Sequence, residues 1–164
     1  MNPQLLKTLS FKRSHFVTHL PMDYRYTRSH AWMAVREGGR LRIGLTKFAT
    51  RMLGEMVEHG FTVGPGEAVT PGQVLGWIEG FKAISDLIGV APGQFVSGNS
   101  ALQHDIALVT EATYTDGWLY EMDGPLPEGS LAVEEYAAFL GATIDRLLQN
   151  QEAGADGSSL TEPA

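Results

Sequence analysis

Apolar residues along the chain fall mostly into short runs separated by glycine and proline, a pattern typical of short β-strands joined by turns. Trp32 to Val35 predicts a first strand, and Leu41 to Ile43 predicts its hairpin partner across the turn at Glu37-Gly38-Gly39. Three later runs predict further strands: Met56 to Thr62, which is the weakest, Ala107 to Val109, and Trp118 to Tyr120. The pattern indicates a mainly β domain.

Two segments show helical spacing instead. Thr46 can cap a short helix that Gly54 would end. The apolar face of this helix would consist of Phe48, Ala49, Met52 and Leu53. A second helix is predicted to begin at Ser130 and to close the domain, which we place at residues 22–149. Its buried stripe would consist of Val133, Tyr136, Ala137, Leu140, Ile144, Leu147 and Leu148.

The most informative stretch contains a short internal duplication. Pro71-Gly72-Gln73-Val74 returns as Pro92-Gly93-Gln94-Phe95, and Lys82 lies near the midpoint between the two copies. Each Pro-Gly pair is a strong turn signal. The apolar runs that follow the turns are Val74 to Ile78 and Phe95 to Val96. We interpret these runs as two strands that lead into and out of a tight hairpin, with Lys82 exposed at its tip.

At this hairpin the sequence resembles the lipoyl carriers, and most closely the H-protein family of the glycine cleavage system. That family has an acidic residue three positions before its lipoylated lysine, a small residue after the lysine, and an aspartate four positions after it. These places are filled by Glu79, Lys82, Ala83 and Asp86, and two later family positions are matched by Gly93 and Asn99.

The resemblance extends over roughly residues 26–136. Four other segments follow the family's order: Tyr26 to Trp32, Ile43 to Ala49, Leu53-Gly54-Glu55, and Tyr114 to Leu119. There are also departures from the family pattern. Ala31 replaces a glutamate between the histidine and the tryptophan, and Gly80-Phe81 replaces the usual Ser-Val before the lysine.

The resemblance implies a fold of two small antiparallel sheets packed as a sandwich, called a barrel-sandwich hybrid, with a short internal helix and a C-terminal helix. It also implies that lipoate is attached to Lys82 through an amide. Glu79 and Gly93 would then be recognised by the modifying enzyme, a lipoate ligase or a lipoyl or octanoyl transferase. Ser29 and Asp86 would help to hold the loaded arm in a cleft, where a glutamate at the position of Ala31 is missing.

The function that the resemblance implies is that of a carrier without catalytic activity of its own. The lipoyl arm on Lys82 would receive the aminomethyl group of glycine from glycine decarboxylase, the P protein. It would pass this group to the aminomethyltransferase, the T protein. Dihydrolipoyl dehydrogenase, the L protein, would then reoxidise the arm.

Two other functions stay open at this point. Ala31 and the Gly80-Phe81 pair modestly favour a lipoyl carrier with another role, such as relay of lipoate to other proteins or transport of sulfur intermediates. A biotinyl carrier or an unmodified binding module is the third reading, although a biotin site would have methionines beside the lysine, where this chain has Phe81 and Ala83.

Individual site residues also have plainer interpretations. Glu79 could be a solvated hairpin charge, Asp86 could hydrogen-bond the following turn, and Phe81 could be exposed to partners or packed on the sheet.

Composition narrows the functional classes. A formal net charge of −7 argues against nucleic acid as the main partner, and the absence of cysteine excludes disulfides and thiol catalysis. No apolar run approaches the roughly 18 residues of a membrane span. The sequence has no Ser-His-Asp order, P-loop or GxGxxG motif, and we expect a monomer without a metal site. The five histidines lack metal-ligand spacing: His15, His19, His30, His59 and His104.

The two ends of the chain differ from the middle. Residues 1–21 form a basic extension whose Leu5, Leu6 and Leu9 are spaced loosely like a helix face. We expect this extension to pack on the domain. We expect a cytoplasmic location, as for a bacterial-type protein. The alternative is that the extension is a transit peptide, which would make the location mitochondrial. Residues 150–164 are rich in glycine, serine and alanine and predict a disordered tail.

Overall fold

The computed structural model describes residues 6–157, with side chains up to residue 152. The strands are β1 (Thr8–Arg13), β2 (Phe16–Pro21), β3 (Arg25–Tyr26), β4 (Ala31–Val35), β5 (Leu41–Leu45), β6 (Met56–Phe61), β7 (Ala68–Val69), β8 (Val74–Gly80), β9 (Ile84–Ile88), β10 (Gly93–Gly98) and β11 (Tyr120–Asp123). The helices are α1 (Lys47–Leu53), α2 (Leu108–Glu111) and α3 (Val133–Gly157).

Two antiparallel sheets pack face to face, which confirms the predicted sandwich. The larger sheet has the order β3-β4-β5-β11-β10-β7, and the smaller has the order β6-β8-β9. Their facing side chains form one buried cluster, in which Ile43 and Phe95 of the larger sheet join Leu75, Ile78 and Leu87 of the smaller. Strand β1 pairs with β2 in a separate hairpin.

Strand β4 is buried on both faces because a second cluster covers the outside of the larger sheet. Ala31 and Met33 face the inner cluster, whereas Trp32 and Ala34 belong to the outer one. Helix α3 supplies much of that outer cluster, including Tyr136, Leu140 and Ile144. The continuous apolar run of β4 is therefore the expected pattern for a strand between two packed layers.

The lysine hairpin exists, but its return strand is not the predicted one. Strand β9 follows the tip directly and pairs with β8, with Glu79 opposite Ile84. Phe95 lies instead in β10 of the other sheet. A tight hairpin must take its second strand immediately after the turn, so Phe95 to Val96 lies too far along the chain. The two copies of the duplication lead into different sheets.

Helix α1 follows its prediction closely. Thr46 caps its start by accepting a hydrogen bond from the Ala49 N–H at 3.5 Å. Gly54 ends it at a positive φ of 82°, where its N–H donates to the Thr50 carbonyl. Phe48, Ala49, Met52 and Leu53 share one face of the helix, as predicted, although Met52 is 51% exposed.

The predicted strand at Ala107 to Val109 is wrong, because this segment forms α2. The Glu111 and Ala112 N–H groups donate to the carbonyls of Ala107 and Leu108, both at 2.8 Å. Strand β11 already has β5 and β10 on its two sides, so the sheet offers no free edge at this point. Strand β11 itself begins at Tyr120, later than predicted.

Both ends of the described chain are more ordered than predicted. The extension contains the β1–β2 hairpin in place of a helical face, and Phe16, Thr18 and Leu20 alternate inward as β2 requires. Helix α3 begins at Val133 rather than Ser130 and runs to Gly157, into the predicted tail. The rest of that tail, residues 158–164, lies outside the described residues, as does Leu5.

None of the helices within residues 6–157 combines the length and the apolar character needed to cross a membrane.

Candidate functional site

The backbone of the β8–β9 tip is tied to the end of α1. The Lys82 N–H donates to the Leu53 carbonyl and the Phe81 N–H donates to the Glu55 carbonyl, both at 2.9 Å. Across the turn, the Gly80 N–H donates to the Ala83 carbonyl at 2.9 Å. The tip is therefore fixed at three points although it lies on the surface.

The Lys82 side chain is exposed. Its Nζ makes one hydrogen bond, to the Arg51 carbonyl at 3.3 Å, which is long for such a contact. Its stem lies along Gly54, where an added Cβ would come within 2.9 Å of the Lys82 Cγ. A fixed backbone and a loosely held amine are what another protein needs in order to find this lysine and react with it.

Two neighbours of Lys82 shape the tip. Position 80 requires glycine because the Leu53 carbonyl lies so close that a Cβ would collide with it. Gly80 is not among the positive-φ residues, so its role does not depend on a left-handed backbone. Phe81 is 77% exposed, so its ring projects into solvent rather than packing on the sheet.

The two residues assigned to enzyme recognition lie apart from each other. Glu79 is half-buried on β8, opposite Glu58 of β6 and three positions before the lysine. Gly93 begins β10 in the other sheet, beyond the base of the hairpin. A Cβ at Gly93 would collide with the Asp123 carbonyl, so this glycine permits two backbones to meet.

A cavity of about 430 Å³, here named the arm cavity, lies between α1, α3 and β9. It brings together Ser29, Asp86 and Ala31 from segments that are distant in sequence. Most of its lining is apolar, and this part includes Ile43, Leu45, Phe48, Ala49, Met52, Leu53, Leu87, Ile88, Val90, Leu119 and Leu147.

Lys82 lines a second cavity of about 440 Å³, with Lys47 and Glu111. Helix α1 separates the two cavities. Phe48 and Met52 line the arm cavity, whereas Arg51 and Gly54, from the opposite helical face, line the second one. The lysine therefore sits at the C-terminal end of the helix that divides them.

Ser29 and Asp86 are both exposed at the edge of the arm cavity. The Ser29 hydroxyl lies 2.8 Å from that of Thr27. Asp86 is opposite Trp77 in the β8–β9 ladder, and its backbone carbonyl accepts a hydrogen bond from the Ser85 hydroxyl. Both side chains can accept hydrogen bonds from a group that enters the cavity.

His30 lies in the wall of the arm cavity at a positive φ of 69°. Its Nδ1 lies 2.7 Å from the Tyr136 hydroxyl, which is in turn 3.0 Å from the Thr46 hydroxyl. Burial lowers the pKa of His30 to about 4, so the ring is neutral at pH 7. His30 therefore acts as a hydrogen-bonded structural residue just before β4.

The depressed pKa of His30 makes the stability of the protein depend on pH. Because the unfolded histidine titrates near pH 6.5, the unfolded state binds the extra proton first as the pH falls. The contribution of His30 is therefore complete above pH 6.5 and declines down to about pH 4. We expect the difference in unfolding free energy between wild type and His30→Asn, measured in urea, to shrink over this interval. Asparagine tolerates the positive φ. A difference that is constant from pH 7 to pH 4 would contradict this reading.

Sequence reasoning missed three hydroxyl-bearing residues of the arm cavity, Ser85, Tyr120 and Thr143. Tyr120 is 2% exposed, and its hydroxyl has no hydrogen-bond partner within the described part of the chain. Burial raises the pKa of the Tyr120 hydroxyl, which therefore stays protonated and can donate. No local signal in the sequence distinguishes this tyrosine from a core residue.

We expect Tyr120→Phe to stabilise the unmodified protein by about 1 kcal/mol, because a buried hydroxyl without a partner costs about 1–3 kcal/mol. Tyr136→Phe is the matched control, since it removes a hydroxyl bonded to His30 and Thr46 and should lower stability instead. Urea unfolding of the two variants measures both effects. Equal losses of stability in the two variants would mean that Tyr120 has a partner after all.

No three histidine, aspartate or glutamate side chains gather at metal-binding distance in the described region.

An exposed lysine on a pinned hairpin tip, beside an apolar cavity in a β-sandwich, defines a carrier domain that presents one side chain to other proteins. The family model described as "Glycine cleavage H-protein" matches residues 24–138. The chain is 37% identical over 111 residues to the glycine cleavage system H protein of Corynebacterium jeikeium, covering 65% of this chain and 85% of that protein.

Two further relatives agree. The glycine cleavage system H protein of Streptomyces coelicolor is 34% identical over 125 residues, covering 74% of this chain and 98% of that protein. The crystal structure of a glycine cleavage system H protein from Mycobacterium marinum is 34% identical with a TM-score of 0.67, covering 74% of this chain and 99% of that one. The chain belongs to the glycine cleavage H-protein family. It is a lipoyl carrier of the glycine cleavage system and not an enzyme.

Proposed function

We propose that Lys82 is the residue that carries lipoate, through an amide to its Nζ, and that this arm moves the aminomethyl group of glycine. The observation that carries the proposal is that the tip combines a fixed backbone with an exposed amine. Its backbone is held by hydrogen bonds to Leu53 and Glu55, while the amine is exposed and held by one long hydrogen bond. Acylation would remove the positive charge of the amine without disturbing any ion pair recorded for the described side chains.

The residues around the tip fit this prosthetic group. The arm cavity is mainly apolar, as the hydrocarbon part of lipoate requires, and it lies on the far side of the helix to which the tip is bound. The hydroxyl of Tyr120 is a donor without a partner in its wall. When bound, lipoate would supply a disulfide that accepts a group on one sulfur and frees the other as a thiol, and removal of the group would leave a dithiol.

The chain's own residues would hold the cargo in place. Asp86 and Ser29 are acceptors on the rim of the arm cavity, suited to a protonated amine. The neighbouring Ala31 offers no acceptor, so the amine has one fewer partner than a family member with glutamate there would give it. Apolar side chains such as Met52 and Leu147 would exclude water from the same space.

The partners follow from this role. Glycine decarboxylase would load the arm, the aminomethyltransferase would unload it, and dihydrolipoyl dehydrogenase would reoxidise it. A lipoate ligase or a lipoyl or octanoyl transferase would modify Lys82, with Glu79 and the exposed Phe81 beside the lysine as its contacts. Gly93 would act indirectly, by fixing the start of β10 against Asp123. We place the protein in the cytoplasm, as expected for a bacterial-type protein, and expect a monomer.

A reconstituted exchange of bicarbonate carbon into glycine tests the proposal. The lipoylated protein should support exchange by a glycine decarboxylase from a bacterium such as Streptomyces coelicolor, and the unmodified protein should not. Exchange at background level, despite full lipoylation and an active reference H protein in a parallel reaction, would favour a lipoyl carrier with another task.

A further inference from the structure

The family match covers residues 24–138, and this chain has two structural elements outside it. One is the β1–β2 hairpin and the other is the part of α3 after residue 138. We call these two elements the additions because they lie outside the family match. The match to the Mycobacterium marinum structure covers 99% of that protein with 74% of this chain, so part of this chain has no counterpart there.

The two additions are built against each other. Arg13 of β1 forms an ion pair with Asp145 of α3 at 3.1 Å, and Phe16 and Ile144 share one buried cluster. The Arg13 guanidinium lies over Gly141, where an added Cβ would come within 2.6 Å of its Nη2 and the flexible arginine would have to shift. Glycine inside a helix costs about 0.5–1 kcal/mol relative to alanine, so the packing offsets a local penalty. The hairpin braces the extended helix.

The opposite face of the same helix closes the arm cavity. Thr143 and Leu147 are one turn apart and both line the arm cavity. Gly141 and Asp145 lie on the face of the helix that contacts the hairpin. The added segment of α3 therefore gives the arm cavity a wall that the matched part of the family does not include. This wall contains one polar side chain, Thr143.

The hydroxyl of Thr143 is already oriented. It donates its proton to the Phe139 carbonyl at 2.9 Å, so its remaining lone pairs are available as acceptors. Thr143 is half-buried, where a hydrogen bond to a charged group is stronger than in open water. On the same cavity wall, Ala31 has no acceptor and the Nδ1 of His30 is engaged by Tyr136.

We propose that the Thr143 hydroxyl accepts a hydrogen bond from the protonated amine of the aminomethyl group that the arm carries, together with Asp86. The proposal rests on the function proposed above for Lys82. It assigns a cargo-binding role to the added part of α3, and a positioning role to the hairpin that braces it.

The expected benefit is a slower loss of the cargo. Escape of the aminomethyl group begins when the neutral nitrogen donates its lone pair to carbon. A C=N bond forms, the C–S bond breaks, and the electron pair leaves with the thiolate. Water then adds to the iminium ion to give formaldehyde and ammonia. A protonated nitrogen has no lone pair for this step, so acceptors that favour the ammonium form slow the release.

A stable analogue of the cargo tests the proposal directly. The chain contains no cysteine, so the reduced lipoyl arm supplies the thiols that limiting 15N-labelled 2-bromoethylamine would alkylate. The pKa of the resulting ammonium can be followed by 15N NMR. We expect this pKa in the wild type to exceed that of the same group on free dihydrolipoamide. Thr143→Val should lower it by about 0.5–1 unit, a three- to tenfold change, because one hydrogen bond to a charged group is lost.

Controls separate the two levels of the proposal. Thr143→Ser keeps the acceptor and should keep the wild-type pKa, and Thr143→Ala replaces the valine variant if that one does not fold. If the ammonium pKa on the wild-type protein does not exceed that on free dihydrolipoamide, the arm cavity does not bind the cargo, and that part of the proposed function is wrong. A rise that is identical in wild type and in the folded Thr143→Val or Thr143→Ala variant would overturn the role of Thr143 alone.

Discussion

Lys82→Arg should reduce glycine–bicarbonate exchange to the level of a reaction that lacks this protein. The guanidinium group stays protonated at all accessible pH values, so it cannot act as the nucleophile that forms the amide. The fold should persist, because substitutions at exposed positions usually change stability by no more than about 0.5 kcal/mol. Exchange assays, intact mass and thermal unfolding together measure the outcome.

Lys47→Arg is the matched control for this substitution. Lys47 lines the same cavity as Lys82, and its Nζ donates to the Thr110 carbonyl at 3.1 Å, a bond that arginine can also make. This variant should be lipoylated and active. Full exchange by Lys82→Arg, or loss of its fold, would remove Lys82 from the role proposed for it.

Asp86→Asn should leave lipoylation intact but shorten the lifetime of the aminomethyl cargo by about three- to tenfold. The asparagine is nearly the same size and keeps an acceptor, so the change removes mainly the charge that favours the ammonium form. The effect is limited because Asp86 is exposed and solvent screens part of its field. Formaldehyde released from the loaded protein after removal of excess glycine measures the lifetime.

Asp116→Asn gives the control for net charge. Asp116 is also exposed but does not line the arm cavity. Its replacement should leave the lifetime unchanged. Equal shortening in both variants would point to the overall charge of the protein, and no shortening in Asp86→Asn would exclude a direct contact with the amine.

Features that depend on local chemistry could be predicted from the sequence. Thr46 and Gly54 were correctly predicted as the ends of α1, because capping requires only a hydroxyl or a positive φ at a given position. The exposed tip at Lys82 followed from the turn that surrounds it. The β4–β5 pair was also correct, since a short glycine turn joins two apolar runs.

Features that depend on pairing between distant segments could not be predicted in the same way. The repeated Pro-Gly-Gln favoured Phe95 to Val96 as the return strand, although β9 follows the tip directly. A three-residue apolar run such as Ala107 to Val109 has no period that separates a strand from a helix, so its helical hydrogen bonds could not be predicted. The alternation in β2 was a readable signal for the N-terminal hairpin that the spacing of Leu5, Leu6 and Leu9 obscured.

The arm cavity could be predicted only in part. Ser29 and Asp86 were named from the family pattern, whereas Tyr120 and Thr143 enter it through tertiary packing. Thr143 lies on a helix that packs against the N-terminal hairpin, and the ion pair between them joins Arg13 and Asp145, more than 130 positions apart in a chain of 164. No single segment carries that information.

The central claim, a lipoyl group on Lys82, is tested most directly by the mass of the protein purified from its native cells, followed by fragmentation of its peptides. The chain has four lysines, Lys7, Lys12, Lys47 and Lys82, so the modified position can be assigned without ambiguity. We predict a single lipoyl addition, located on Lys82. An unmodified Lys82 in cells whose other lipoyl proteins are loaded, or lipoate on any of the other three lysines, would contradict the account.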